Sequence, residues 1–202
     1  MKALINTFSY LALFVVSIST YTNAKELHRE RSVYRNVVVT EKKHIRCMRF
    51  ETRRKKTSNQ ACINLKSPDE LVFEYTQSIL AGLAFNPQPE NILIIGLGGG
   101  VLPQAFEKLL PKAVITSVEI DPAVVSLAQK YFNYKENAQI KTATQDGRVF
   151  IKRALRKNRK YDWIILDAFN GEYIPEHLLT LEFLQEVKNL LTDGGLLSAN
   201  TF

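Results

Sequence analysis

Residues Ile94–Pro103, with the sequence IIGLGGGVLP, lead from an apolar run through four glycines to a proline. Glycine lets the backbone turn sharply and approach a ligand closely, and proline suits the first turn of a helix. The N-terminus of such a helix offers free N–H groups to a ligand. A tight strand-to-helix turn also occurs without any ligand, so the meaning of this stretch depends on the chain around it.

The chain that follows alternates short apolar runs with amphipathic stretches, a pattern typical of βαβ units. Strands are predicted at Ile92–Ile95, Val114–Ile120, Ile140–Thr144, Trp163–Leu166 and Leu196–Ala199. This alternation argues for right-handed βαβ units, and such units form a mostly parallel sheet with helices on both faces. The sequence therefore predicts a doubly wound, Rossmann-like α/β domain over residues 69–202.

The chain before the glycine stretch carries short β-rich runs between charged or polar turns, which predict a small antiparallel β-meander over residues 25–68. Residues 25–66 hold 13 Lys and Arg against 4 Asp and Glu, with the densest run at Arg53–Lys56. No aromatic residues interleave this run, so a solvated loop is the default interpretation and nucleic-acid binding the sharper alternative. Cys47 and Cys62 fall on successive predicted strands, where either a cross-strand bridge or two separate buried thiols would fit.

The composition of the 202 residues, 46% hydrophobic and 23% charged, is that of a globular protein. Disordered, collagen-like, disulfide-scaffold and polytopic membrane classes are excluded. The apolar run Phe8–Ile18 follows Lys2 and precedes the small-residue site Thr22–Ala24, so residues 1–24 are predicted to be the signal peptide of an exported protein. An uncleaved anchor or a cytoplasmic location is the alternative, although the run is shorter than the roughly 20 residues of a membrane span.

Acidic residues lie at the ends of three predicted strands. Glu119 follows the first glycine of the turn by 23 residues, Asp146 precedes Gly147, and Asp167 ends the fourth strand. Parallel strands present their carboxyl ends at one edge of the sheet, where open α/β folds bind ligands. Glu119 is suited to accept hydrogen bonds from the two hydroxyls of a ribose, so these residues predict a nucleoside site. Asp121 is instead predicted to cap the following helix.

Together these motifs resemble those of the spermidine synthase-like, or polyamine aminopropyltransferase, family, within the class I S-adenosylmethionine-dependent methyltransferase fold. The motifs that carry the resemblance are PDELVFEY at 68–75, GLGGGVL at 96–102, VEID at 118–121, QDGR at 145–148, YDWIILDAF at 161–169 and DGGLLSANTF at 193–202. The resemblance implies decarboxylated S-adenosylmethionine or S-adenosylmethionine as co-substrate, with no metal. It also implies a further helix and an antiparallel strand pair, so these C-terminal strands are expected to be missing from the sequence.

The resemblance implies a role for most residues of the predicted site. Glu119 would hold the ribose, Asp146 the adenine amino group, and Asp167 would lie beside the sulfonium as the catalytic base. The amino-acid or aminopropyl end of the nucleoside would be surrounded by Gly96, Gly98 and Gly100. Asn170 would lie where the acceptor is held. From their own places in the sequence, His177 is a candidate to face the acceptor and Tyr75 and Tyr173 are candidates to wall the pocket, with ordinary packing or a surface position as the alternative for all three.

Two residues depart from the family pattern. Synthases of this family usually have an Asp where this sequence has Gly98. They also have a second Asp three residues after the first one in the strand-four loop, and this sequence has Asn170 at that position, three residues after Asp167. Losing two anions weakens the attraction of the pocket for polyammonium substrates. The leading hypothesis from the resemblance is still aminopropyl transfer to a small-molecule amine or polyamine. The alternatives are an S-adenosylmethionine-dependent methyltransferase and a catalytically silent nucleoside-binding protein. Homodimer formation is a further expectation.

Overall fold

The computed structural model describes residues 23–51, 57–169 and 174–200. The predicted signal segment up to Thr22, the basic run at 53–56, and the site candidates Asn170 and Tyr173 lie outside these ranges. The described chain forms a four-stranded antiparallel sheet followed by a five-stranded parallel sheet with helices. The predicted fold class, a doubly wound parallel sheet preceded by an antiparallel meander, is confirmed.

The smaller sheet consists of β1 (Lys25–Arg31), β2 (Asn36–Lys42), β3 (Ile45–Glu51) and β4 (Thr57–Asn64), paired in that order. The β-rich runs of the sequence, YRNVVV at 34–39, HIRCMRF at 44–50 and ACINL at 61–65, predict the last three of these strands but not β1. This edge strand has the sequence KELHRER and lies mostly at the surface. It therefore lacks the apolar, β-branched pattern by which a strand is recognised from sequence.

The larger sheet consists of β5 (Asn91–Ile95), β6 (Val114–Glu119), β7 (Ile140–Thr144), β8 (Tyr161–Leu166) and β9 (Leu191–Ala199). Its strands are parallel and follow the order β7-β6-β5-β8-β9. Of the three interior strands, β5 and β8 are buried along nearly their whole length, which is why their sequences are nearly unbroken apolar runs. β9 begins at Leu191, five residues before the predicted start at Leu196, and its pairing with β8 is irregular near Tyr161.

The helices of the described chain are α1 (Glu74–Leu80), α2 (Val101–Leu109), α3 (Pro122–Tyr131), α4 (Gly147–Arg156) and α5 (Leu181–Leu190), with short 3-10 helices at Ala81–Ala84 and Glu176–Leu178. Phe106 packs with Trp163 on one face of the larger sheet, and Phe150 packs with Phe183 on the other. Among these described helices, none has the length and apolar character needed to cross a membrane.

One face of the smaller sheet packs against α3. Val37 and Met48 from the sheet share a buried cluster with Leu127 of this helix. Cys47 of β3 lies directly opposite Cys62 of β4, and a disulfide joins them. Of the two sequence-based alternatives for these cysteines, the structure therefore has the cross-strand bridge.

The parallel sheet has a switch point between β5 and β8. From β5 the chain moves outward to β6 and β7, and it then returns to the other side of β5 at β8. Open α/β sheets bind ligands in the crevice at the carboxyl ends of strands at such a point. Gly96 follows β5 and Asp167 follows β8, and the N–H of Asp167 donates to the carbonyl of Ile95 over 2.8 Å. The fold therefore holds the glycine turn and Asp167 side by side.

Candidate functional site

A cavity of about 370 Å³ opens at the carboxyl ends of the parallel strands. Small-molecule sites typically measure about 300–1,000 Å³. The predicted site residues that line it are Tyr75, Gly96, Gly98, Glu119, Asp146, Gly147, Asp167 and His177. Gly100 does not line the cavity and instead precedes α2 as its N-terminal cap. Within the described ranges, no three His, Cys, Asp or Glu side chains are grouped as a metal site would require.

The strand order sets the sequence of functional groups along the cavity. Asp146 follows β7, Glu119 ends β6, the glycine turn follows β5, and Asp167 follows β8. Neighbouring strands lie about 4.8 Å apart, so these four positions span roughly 14 Å. That length suits a nucleoside that carries a short side chain on its ribose.

Gly96 begins the glycine turn in a conformation that other residues rarely adopt. Its φ is +115°, and a Cβ at this position would lie 2.4 Å from the carbonyl oxygen of Asp167. The N–H of Gly96 donates to the carbonyl of Val118 over 2.8 Å. The turn is therefore held against the ends of both neighbouring strands, and glycine is required by backbone conformation and by space.

The Glu119 carboxylate is oriented by two backbone donors. Its Oε2 accepts from the N–H of Leu97 over 3.2 Å, and its Oε1 accepts from the N–H of Asp121 over 3.0 Å. Burial raises the pKa of Glu119, and these two N–H groups act in the opposite direction. Each carboxylate oxygen keeps a further lone pair for a hydroxyl of a ligand. Asp121 caps α3 by accepting from the N–H of Ala123 over 2.9 Å, which confirms the capping prediction.

Asp146 and His177 meet beyond the end of β7. Oδ1 of Asp146 accepts from the N–H of Val149 over 2.9 Å and thereby caps α4. Its Oδ2 lies 3.1 Å from Nε2 of His177. His177 is an acceptor-facing candidate in the sequence, whereas the structure has its ring against Asp146. One carboxylate oxygen of Asp146, Oδ1, therefore caps α4, and the other, Oδ2, lies at the cavity wall beside His177.

The Asp167 carboxylate lies between two polar side chains. Its Oδ2 accepts from the hydroxyl of Tyr75 over 3.3 Å, and its Oδ1 accepts from Nδ2 of Asn200 over 3.0 Å. Burial raises the pKa of Asp167 to about 6, because the two hydrogen bonds offset part of the desolvation and not all of it. Burial also raises the pKa of Tyr75, so this hydroxyl stays protonated and donates. A carboxyl group that titrates near neutrality is suited to accept a proton from a reacting amine.

Asn200 and Gln60 are cavity residues that sequence reasoning missed. Asn200 directly follows β9. It could have been found by the pattern that identified the acids, which is a polar residue at the carboxyl end of a parallel strand. Gln60 comes from β4 of the smaller sheet, and a Cβ at Gly98 would lie 3.6 Å from its carbonyl oxygen. That contact depends on how the two sheets pack, for which the sequence carries no local signal.

Comparison with known proteins connects this site to a family. The family model of the spermine/spermidine synthase domain matches residues 73–201. A polyamine aminopropyltransferase of Vibrio vulnificus is 49% identical over 177 residues, which cover 87% of this chain and 59% of that protein. The chain thus spans about three fifths of the length of this curated relative.

Solved structures share the fold. A probable spermidine synthase from Corynebacterium glutamicum superposes with a TM-score of 0.73 at 21% identity, over 86% of this chain and 63% of that one. Human methyltransferase-like protein 13, solved in complex with SAH, gives a TM-score of 0.58 at 29% identity, over 62% of this chain and 63% of that one. The family model matches most of the length of the chain, and the glycine turn and the three acids line one cavity. The chain therefore belongs to the spermine/spermidine synthase domain family.

Proposed function

We propose that the chain is an aminopropyltransferase that moves an aminopropyl group from decarboxylated S-adenosylmethionine to an amine or polyamine. The observation that carries this proposal is the half-buried Asp167 carboxylate, which has a pKa of about 6 and lies beside the glycine turn. A nucleoside with its base at Asp146 and its ribose at Glu119 would extend across this turn toward Asp167. Family membership and the polyamine aminopropyltransferase relative support the same reaction.

The proposed reaction begins when an unprotonated amine attacks the carbon joined to the sulfonium. A nitrogen–carbon bond forms, the carbon–sulfur bond breaks with its electron pair going to sulfur, and methylthioadenosine leaves as a neutral thioether. The proton of the amine passes to Asp167, which Tyr75 and Asn200 hold in place. The protein therefore contributes the positioning of the two reactants and the removal of a proton.

Replacement of Glu119 by Ala should weaken the binding of methylthioadenosine by about 10–100-fold, because a charge-assisted bond contributes about 1.5–3 kcal/mol. Titration calorimetry measures this change. Glu119→Gln keeps an oxygen for the N–H of Leu97 and should bind with intermediate affinity. Glu90→Ala removes the same group from an exposed position outside the cavity and serves as the control. Unchanged affinity in Glu119→Ala would contradict the ribose assignment.

Methyl transfer from intact S-adenosylmethionine is the second candidate function, and Gly98 is the observation that favours it. Gly98 has a φ of +55°, and a Cβ there would lie 3.6 Å from both the Cβ of Ala61 and the carbonyl of Gln60. An Asp would fit this position, since the left-handed region tolerates Asp and the contacts are ordinary ones. Its absence leaves room beside the turn for the carboxylate of the intact methionine group. The structural similarity to a methyltransferase-like protein in complex with SAH supports this alternative.

The thioether by-product distinguishes the two reactions, because aminopropyl transfer releases methylthioadenosine and methyl transfer releases S-adenosylhomocysteine. We expect the double change Gly98→Asp and Asn170→Asp to raise activity with decarboxylated S-adenosylmethionine and putrescine about tenfold or more, since each restored charge pair contributes on the order of 1–4 kcal/mol. Chromatography of the products provides the measurement. The control Gly98→Asn introduces a side chain of the same shape without the charge.

The product pattern also decides among the hypotheses. S-adenosylhomocysteine as the sole product of the natural chain would replace the proposal with the methyltransferase. If neither thioether forms, even with the double variant, the silent nucleoside-binding protein becomes the better description.

A further inference from the structure

We propose that Ser32 is a positioning residue for nucleoside binding. Its hydroxyl ties the turn between β1 and β2 to Asp121 and thereby holds Arg35 of the same turn at the cavity. The inference rests on the proposed function and deepens it, because it gives the smaller sheet a part in binding the nucleoside. Arg35 lines the cavity and Ser32 does not, so Ser32 acts through Arg35.

The hydroxyl of Ser32 lies at the centre of the turn. Its Oγ donates to Oδ2 of Asp121 over 2.6 Å, and it accepts from the N–H of Tyr34 over 3.0 Å and from the N–H of Arg35 over 3.1 Å. The N–H of Ser32 also donates to the carbonyl of Arg35 over 3.0 Å. One side chain therefore fixes the shape of the turn and joins it to the start of α3.

Asp121 is a firm anchor for this turn. It is 2% exposed, one of its oxygens caps α3, and its own N–H donates to Glu119 over 3.0 Å. The tip of the turn, by contrast, buries little apolar surface, since Val33 is 90% exposed and Tyr34 is 47% exposed. A buried carboxylate oxygen that loses its donor is costly, and the hydroxyl of Ser32 is that donor. This hydrogen bond therefore sets where the turn lies.

Arg35 brings a positive charge to the end of the cavity where Glu119 lies. The guanidinium carbon of Arg35 lies 4.4 Å from the centre of the Phe50 ring, and both residues line the cavity. Such a stacked arrangement is favourable for a guanidinium. Burial raises the pKa of Glu119, and the charge of Arg35 acts in the opposite direction. Arg35 thus favours the ionised carboxylate, which accepts stronger hydrogen bonds from a ligand than the neutral acid does.

The test is a double-mutant cycle on Ser32 and Arg35, measured by calorimetry with methylthioadenosine as the probe. Ser32→Ala and Arg35→Ala should each bind it about tenfold more weakly, as expected for one lost interaction with a charged group. Because Ser32 acts through Arg35, the double variant should also bind about tenfold more weakly, whereas independent effects would multiply to about a hundredfold. Ser32→Thr keeps the hydroxyl and should bind like the natural chain. Ser126→Ala, an exposed change on α3 outside the cavity, is the control.

Steady-state kinetics distinguish positioning from a merely structural role. Ser32→Ala should raise the KM for decarboxylated S-adenosylmethionine about tenfold and leave kcat unchanged, because Asp167 keeps its own partners Tyr75 and Asn200. A variant that only lost folded protein would show a lower kcat with an unchanged KM. That second pattern would overturn the inference.

The binding results overturn the inference in other ways. Unchanged affinity in Ser32→Ala would remove the role of Ser32, and a hundredfold loss in the double variant would show that Ser32 does not act through Arg35. If the natural chain binds S-adenosylhomocysteine and not methylthioadenosine, the proposed function gives way to the methyltransferase, and the same cycle with that ligand decides on Ser32. If the natural chain binds neither thioether, the proposed function and this inference both fail.

Discussion

Replacement of Asp167 by Asn should lower transfer by about a thousandfold while leaving the nucleoside bound, in line with the contribution of a general base. Asn keeps the shape of the side chain and accepts from Nδ2 of Asn200 as Asp167 does, but it neither takes a proton nor balances a cation. The loss should therefore appear in kcat of thioether release and not in Kd for methylthioadenosine. Asp193→Asn, an exposed change of the same kind, is the control.

The pH dependence of the natural chain offers a second check on Asp167. Because the pKa of Asp167 is raised to about 6, its basic form is lost as the pH falls through 6, and kcat should fall with it. A folded-state pKa above the unfolded value also means that ionised Asp167 destabilises the fold at higher pH. Asp167→Asn should therefore melt at a higher temperature than the natural chain at pH 8, and this advantage should shrink below pH 6.

Three results would contradict this role. Unchanged transfer in Asp167→Asn would remove Asp167 as the base. A large rise in Kd with an unchanged kcat would instead assign Asp167 to nucleoside binding. A melting advantage that persists at pH 4 would show that the effect of the substitution does not come from the carboxylate charge.

The acids of the site could be predicted from the sequence because each depends on local patterns. Glu119, Asp146 and Asp167 lie at or just beyond the ends of short strands, and a parallel sheet must present those ends at one edge. The alternation of strands and helices also predicts the doubly wound architecture, because short continuous apolar runs give way to amphipathic stretches with a period of 3.6 at each junction. Neither step requires knowledge of distant contacts.

Contacts between distant segments could not be predicted in the same way. The partner of His177 depends on where a 3-10 helix folds back against α4, and the position of Gln60 depends on how the smaller sheet packs against the glycine turn. The Cys47–Cys62 bridge depends on the register of β3 against β4, which the spacing of the two residues leaves undetermined. A one-residue change of register would have moved one cysteine to the opposite face.

Replacement of Gly96 by Ala should destabilise the fold by about 3–5 kcal/mol, the combined effect of an unfavourable backbone conformation and an overpacked contact. Its φ of +115° disfavours any side chain, and the added Cβ would lie 2.4 Å from a backbone carbonyl, that of Asp167. Thermal unfolding should show a midpoint lower by roughly 6–20 °C. Transfer should be lost as well, because relief of this contact must move the end of β8 that carries Asp167.

Gly194→Ala is the matched control for this substitution. Gly194 also has a positive φ, +75°, but an added Cβ there meets no atom within 4 Å. It should therefore report the backbone preference alone, about 1 kcal/mol. The difference between the two variants measures how tightly the glycine turn is held against the end of β8. Equal melting temperatures for Gly96→Ala and Gly194→Ala would mean that the turn moves freely away from Asp167, and the geometry on which proton removal depends would not be fixed by the fold.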